Sequence, residues 1–483
     1  MSYKLIITNL GKILMIIGLS MFLPLFWAVY YGHQQDIAAF LISTPITFGV
    51  GLLLFKKFQT EETIHYKEGF AIVSFSWLFA AFFGSLPYLI SGTFTNFADA
   101  FFESMSGFTT TGATVLRDIQ ALPPGILFWR SLTNWLGGMG IIVLFVAILS
   151  SLGVSGTQMF KAELPGSPVT EKLKPRIRET AKILWYTYLT ITVVESILLW
   201  FCGMSLFDAI CHAFATVATG GVSTKNANIG FYDSPLIYWI ITIFMFISGA
   251  NFSLHYLAFR NKSLKIFWKS EEFKLYFSII ITCALFMTIV LIFTTDLTLG
   301  EALTAGTFQT IATITTTAFI INDYEQWPFL LQCLIFALMF IGGCAGSSSG
   351  SIKVGRILIL LKRAHSEIKR AIHPRMITQL KVRERPVSDD IVINISQFFF
   401  LYILIFMFAS IILTGLGLDL ISALSAAASC LGNVGVGLGL VGPSQDFSFF
   451  SEFGKFFLAF LMLLGRLELY TVLVLFSPFF WKR

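Results

Sequence analysis

Long apolar runs separated by short polar joints set the pattern of this chain. Stretches of about 20 apolar residues, the length that crosses a bilayer as a helix, recur at 9–31, 37–55, 69–91, 126–150, 181–203, 235–259, 275–295, 327–361, 391–415 and 454–477. That predicts ten spans. Four further segments, near 97–114, 206–223, 301–318 and 419–436, are moderately apolar but too short to cross, and each runs out in Gly, Thr and Ser. They read as re-entrant elements. Irregular backbone at membrane depth is tolerated only inside protein or beside a water-filled cavity, because lipid cannot satisfy its N–H and C=O groups. Four such segments imply one enclosed aqueous path. The first apolar stretch, from Ile13 to Tyr31, is longer than a signal-peptide core and lacks a small-x-small cleavage site, so it reads as a retained helix.

The short segments repeat. Aligned on their last small residues, Gly112, Gly221, Ala318 and Gly435 take equivalent places about 100 residues apart. Asp99-Ala100 and Asp208-Ala209 each stand 13 residues before the glycine of their segment, Glu301-Ala302 opens the third at a different spacing, and the fourth is weaker. Glu103 and His212 also match, nine residues before the glycine; polar groups there can fix loop carbonyls by hydrogen bonds, although satisfied packing positions are the more frequent case. A full span precedes and follows each segment, so the unit is span, short helix, glycine loop, span. Units of this kind with the same topology form parallel repeats around an axis along the membrane normal. The predicted fold class is an all-α polytopic membrane protein: two leading helices in 1–66, then four pseudo-symmetric repeats in 67–160, 161–270, 271–385 and 386–483 around one pore.

Composition agrees. Of 483 residues 56% are hydrophobic and 12% charged, with 52 Phe, where a soluble protein carries about 25% charged residues. The net charge of +6 forms no patch for nucleic acid. Its basic residues gather in alternate joints: Lys56, Lys57 and Lys67; Lys161 to Lys182; Arg260 to Lys274; Lys353 to Arg385; and Lys482-Arg483. The opposite joints hold little beyond Arg117 and Lys225. By the positive-inside rule, an even number of spans with both termini cytoplasmic follows. Six cysteines without a C-x-x-C pair imply no disulfide or metal framework.

The glycine loops carry the candidate chemistry: TTTGAT at 109–114, TVATGGVST at 216–224, ITTTAF at 314–319 and GNVGVGLG at 432–439. Glycine allows left-handed backbone, Thr and Ser supply hydroxyl oxygens, and a ring of carbonyls can replace the water shell of a monovalent cation. Close helix packing would account for one such loop; four in register favour the ring. Gly342 to Ser351 interrupts an apolar span with small residues and serines, where each Gly costs a helix about 1 kcal/mol, so that span is expected to break. Arg466 lies within the last span, where a charge marks an ion path or a buried pair with an acid such as Glu103 or Glu195. Glu468, two residues on, faces elsewhere on a continuous helix.

These residues resemble the transmembrane potassium-uptake subunits of the Trk/Ktr/HKT superfamily, most like the TrkH and TrkG type. The matching motifs are FTTTGATVL at 108–116, SLTNWLGGMGIIVL at 131–144, LFDAICHAFATVATGGVST at 206–224, GGCAGSSSG at 342–350 and GRLELY at 465–470. The resemblance implies a homodimer in the bacterial inner membrane, each subunit with its own pore, docked on a cytosolic TrkA-type nucleotide-binding ring, with K⁺ as the bound ion and no organic cofactor in the chain. It implies a filter at Thr110, Thr111, Gly112, Thr219, Gly220, Gly221, Thr316, Thr317, Ala318, Asn433, Val434 and Gly435. It also implies a gate at Gly342, Gly343, Cys344, Ala345, Gly346, Ser347, Ser348, Ser349 and Gly350, and a cation barrier at Arg466. The family usually has glycine where Ala318 stands. A methyl group disfavours positive φ by roughly 1 kcal/mol or more, so four-fold geometry is expected to weaken there, giving a pore less selective for K⁺ over Na⁺. A proton- or sodium-coupled symporter is the competing reading, and Glu103, Glu195, His212, His255 and Glu468 form no obvious relay for it. No H-E-x-x-H, G-x-S-x-G or P-loop stands in a context that would support an enzyme.

Overall fold

The computed structural model describes residues 1–60, 62, 66–140, 177–374, 380–382 and 385–482. Helices dominate, and the one sheet among the described residues is the two-residue pairing of Lys381–Val382 with Arg385–Pro386. Among the described residues, six helices are long and apolar enough to cross a membrane: Tyr3–Tyr30, Gln34–Phe58, Lys67–Ile90, Ala181–Phe201, Glu271–Thr294 and Asp389–Gly415. The first two pack backbone to backbone. A Cβ on Gly11 would fall 2.6 Å from the Gly51 carbonyl oxygen, and one on Gly51 would fall 2.7 Å from that of Gly11, the small-residue contact that joins helices in lipid. Buried Asp36 then ties this hairpin to the first repeat by accepting from Gly125 N at 2.8 Å.

Two predicted straight spans are bent. Pro235–Ser248 and Phe252–Arg260 meet at 96°, and Glu452–Arg466 and Tyr470–Phe476 at 113°. At the first bend, Asn251 starts a new helix by accepting from Ser253 N at 2.8 Å. At the second, Glu468 and Leu469 take φ of +54° and +60°, which no right-handed helix admits. The span expected at 327–361 is broken, with helix over Phe329–Leu338 and again only from Val354. That expected at 126–150 begins as Pro124–Trp135 and a π-helical turn, Leu136–Gly140. Its remainder, with Lys161, Lys172, Lys174 and Arg176 and the boundary between the first two repeats, lies outside the described residues.

The four short segments form helices at Phe97–Phe108, Leu206–Val217, Leu299–Ile314 and Leu420–Gly432. Each opens on a side-chain cap, from Asn96, Ser205, Thr298 and Asp419 respectively, which satisfies N–H groups that a helix start leaves unpaired. The long helices turn large apolar side chains outward, Phe293 at 83% exposed and Phe400 at 68% among them. Hydroxyls, amides and charged groups are instead buried around the short helices, the reverse of a soluble core.

Candidate functional site

All four short helices end in one backbone motif. The amides of Thr110, Thr219, Thr316 and Asn433 donate three residues back, at 3.0, 2.9, 3.0 and 3.3 Å. The next amides, of Thr111, Gly220, Thr317 and Val434, donate five residues back, at 2.9, 2.8, 2.8 and 2.8 Å. This is the Schellman termination, whose left-handed residue is usually glycine. Here that residue is Thr, Thr, Thr and Asn, at φ of +53°, +55°, +54° and +52°. A left-handed L-residue costs about 1–2 kcal/mol, so four in register mark a position where side chains are wanted.

Two residues on, the backbone turns left-handed again, at Gly112 (φ +80°), Gly221 (+63°), Ala318 (+57°) and Gly435 (+98°). The expectation that Ala318 would disturb this arrangement is overturned. The hydrogen bonds flanking it hold the third loop in the same conformation as the rest, at the cost of the methyl group's strain.

The loops form a closed cycle. A Cβ on Gly112 would collide with the carbonyl of Gly220, one on Gly221 with that of Thr317, and one on Gly435 with that of Thr111. First loop meets second, second meets third, and fourth meets first, which leaves the fourth as the neighbour of Ala318. Threonine hydroxyls brace the first and third loops, Thr109 to Thr111 at 2.8 Å and Thr315 to Thr317 at 2.7 Å. Asn433 Nδ2 donates to Thr111 Oγ1 at 3.0 Å and to Met462 O at 2.9 Å. Four helix C-termini, each carrying partial negative charge, therefore converge on one ring of carbonyl and hydroxyl oxygens. Such a ring suits a dehydrated cation.

On one side of the ring lies a cavity of about 460 Å³, lined by Gly112, Gly221, Ala318 and Gly435 together with Arg117, Arg130, Asp323 and Asp446. At its rim Asn226 donates through Nδ2 to Asp118 Oδ1 at 2.8 Å and accepts at Oδ1 from Ile119 N at 2.6 Å. The Asn226 amide, with the Ala121 and Gln120 amides, holds the Asp118 carboxyl below its usual range.

On the other side runs the broken segment. Gly350 N donates to Thr316 Oγ1 at 2.7 Å, Ser351 N to Gly432 O at 2.9 Å, and Ser348 Oγ to Val217 O at 2.9 Å. It thus touches the ends of the second, third and fourth short helices. From behind, Cys344 N donates to Gly249 O at 2.8 Å, Ala345 N to Glu272 Oε1 at 2.6 Å, and Phe252 N to Gly346 O at 3.1 Å. The Lys353 ammonium donates to Ser349 O.

Arg466 lies beside this segment. It donates to Ser348 O at 2.8 Å, and to Gly137 O and Gly138 O at 2.6 and 2.5 Å. Glu103, named from sequence as a possible partner, is engaged by Arg130 instead, and Glu195 is fully buried. Glu468 pairs with Arg356. Its partner thus lies elsewhere than Arg466, as expected, although a positive φ at Glu468 rather than a continuous helix directs it there.

Glu103 and His212 do more than fill space. Glu103 accepts from Thr114 Oγ1 at 2.9 Å and Val115 N at 3.1 Å, and His212 Nε2 lies 2.9 Å from Ser223 Oγ. Both reach the residues just past the glycine of their own loop. Their shared nine-residue offset was the signal that could have revealed this role.

The TrkH family model, described as a cation transport protein, matches residues 33–483. Over 489 aligned residues and the full length of both chains, the sequence is 40% identical to the Trk system potassium uptake protein TrkH of Escherichia coli strain K12. It is 33% identical to the Trk system potassium uptake protein TrkG of the same strain, over 488 residues that cover 100% of this chain and 99% of that one. The crystal structure of the potassium transporter TrkH from Vibrio parahaemolyticus matches the fold at a TM-score of 0.90, with 36% identity and full coverage of both chains.

Proposed function

The chain belongs to the TrkH family of cation transport proteins, and on that premise we propose that it takes up K⁺ across the bacterial inner membrane through a gated, channel-like pore. The observation that carries the reading is the four-fold helix termination, with its twelve positions Thr110 to Gly112, Thr219 to Gly221, Thr316 to Ala318 and Asn433 to Gly435 meeting in one cycle. These twelve act as the selectivity filter. Carbonyl and hydroxyl oxygens replace the ion's hydration water there.

The segment Gly342 to Gly350 acts as the gate, since it packs under three of the four short helices and has no helical hydrogen bonds to resist rearrangement. Arg466 places a fixed positive charge beside it and holds it through Ser348 O. The chain works as a homodimer with both termini cytoplasmic. The basic stretch from Lys353 to Arg385 receives a cytosolic TrkA-type nucleotide-binding ring, which supplies the regulation.

Flux of ⁸⁶Rb⁺ into liposomes holding the purified protein tests the reading. Flux that follows the Rb⁺ gradient alone supports a channel. Flux that requires a pH or Na⁺ gradient would establish coupled symport instead, and no flux under either condition would refute cation transport.

A further inference from the structure

At the junction of the first two loops, the cavity rim contains a buried ion pair. Glu103 is 4% exposed and Arg130 3%, with Arg130 Nε 2.8 Å from Glu103 Oε1. The guanidinium has two further contacts: Thr114 Oγ1 at 3.3 Å and Ser223 O at 3.3 Å. Thr114 stands two residues beyond Gly112, and Ser223 two beyond Gly221. One planar cation therefore holds the outer ends of two neighbouring loops. The carboxylate secures the first of them again through Thr114 Oγ1 and Val115 N, and His212 holds Ser223 from the second helix.

The other loops are built differently. At the matching offset the third has Gln309, whose amide donates back to Thr313 Oγ1 at 3.2 Å, and the fourth has Ala426. Among the described residues, the ion-paired bridge between loops occurs at the first junction alone. Hydrogen bonds to charged groups strengthen where water is excluded, and an arginine fork fixes angles that a lysine point charge does not.

We infer that Glu103 and Arg130 are positioning residues that set the spacing of the first two loops and thereby the discrimination between K⁺ and Na⁺. This rests on the filter reading above. A rigid junction resists the contraction by which the ring would coordinate the smaller ion, so loosening the clamp admits Na⁺ without abolishing K⁺ passage.

The test uses the full-length protein in liposomes, measuring ⁸⁶Rb⁺ and ²²Na⁺ influx side by side with thermal unfolding. Arg130→Lys keeps the charge opposite Glu103 but cannot reach Thr114 and Ser223 together. Thr114→Val keeps the ion pair and removes only the shared hydroxyl. Each is expected to lower the Rb⁺/Na⁺ flux ratio roughly three- to tenfold, the weight of one or two lost hydrogen bonds, while unfolding within a few degrees of the parent. A Thr114→Val protein with the parental ratio would overturn the inference whatever Arg130→Lys does. So would one that fails to assemble, since a clamp that only positions a loop tolerates loss of one hydroxyl. Gly112→Ser in the same assay separates the two levels. If it too leaves the ratio unchanged, the filter reading fails; if it alone collapses the ratio, the filter stands and the clamp falls.

Discussion

Ala318 shows how much a single methyl group can ask of a backbone. It sits at φ +57° where its three counterparts are glycine. A Cβ on each of those glycines would strike the next loop's carbonyl, whereas the third loop carries a methyl group at that place. Ala318→Gly should relieve about 1 kcal/mol of strain and raise the K⁺/Na⁺ flux ratio. Equal ratios in the two proteins would show that the methyl group at this position has no influence on selectivity. Arg466 makes the second residue-scale prediction. Its contacts are carbonyls on the broken segment and beside the first repeat, so Arg466→Gln should raise resting Rb⁺ flux severalfold by removing both the positive charge and the tether. Lost expression with unchanged flux per assembled protein would assign it a purely structural role. The sequence exposed these two residues because each breaks a local rule. It hid Arg130, which sits in an apolar run with its partner 27 positions away.

Among elements, the short helices were legible and the bends were not. Moderate apolarity, insufficient length and a glycine-rich exit located all four helices, and Phe97–Phe108 and Leu206–Val217 begin at the predicted residues. Hydropathy, however, averages over a window and has no term for direction. Apolar content therefore continues through the 96° and 113° corners as if the helices were straight. The recurring Thr, Thr, Thr and Asn two places before the glycine column was visible too, yet a left-handed turn is ordinarily sought at glycine, so its meaning emerged only from the dihedral angles. The broken segment was foreseen from its small residues, and its packing suggests a probe. A Cβ on Gly350 would collide with Gly432 O and approach Asn433 Cβ to 2.9 Å. Gly350→Ala should therefore push the segment off the fourth helix end and increase resting leak in the liposome assay. A leak at the parental level would show that this contact does not restrain flow.

At the scale of the whole molecule, the proposed regulation would pass from the basic side to the ring of loops. The helix Val354–Ile372 continues directly from the broken segment, carries Lys362, Arg363, Lys369 and Arg370, and joins the helix Glu271–Thr294 through the pairing of Lys362 with Glu271. On the proposed reading, deleting Ser366–Arg375 should leave basal Rb⁺ flux intact and abolish any response to nucleotide conferred by the proposed cytosolic ring. A response that survives the deletion would move the docking surface elsewhere. The four helix ends that meet at the ring have a broader consequence. Each contributes roughly half a negative elementary charge, so together they supply about two, and none of it belongs to a group that can bind a proton. Attraction for a cation built from peptide dipoles does not titrate. The electrostatic well at the ring should thus keep its depth across pH changes that would neutralise a carboxylate site, leaving control of flow to the segment beneath it.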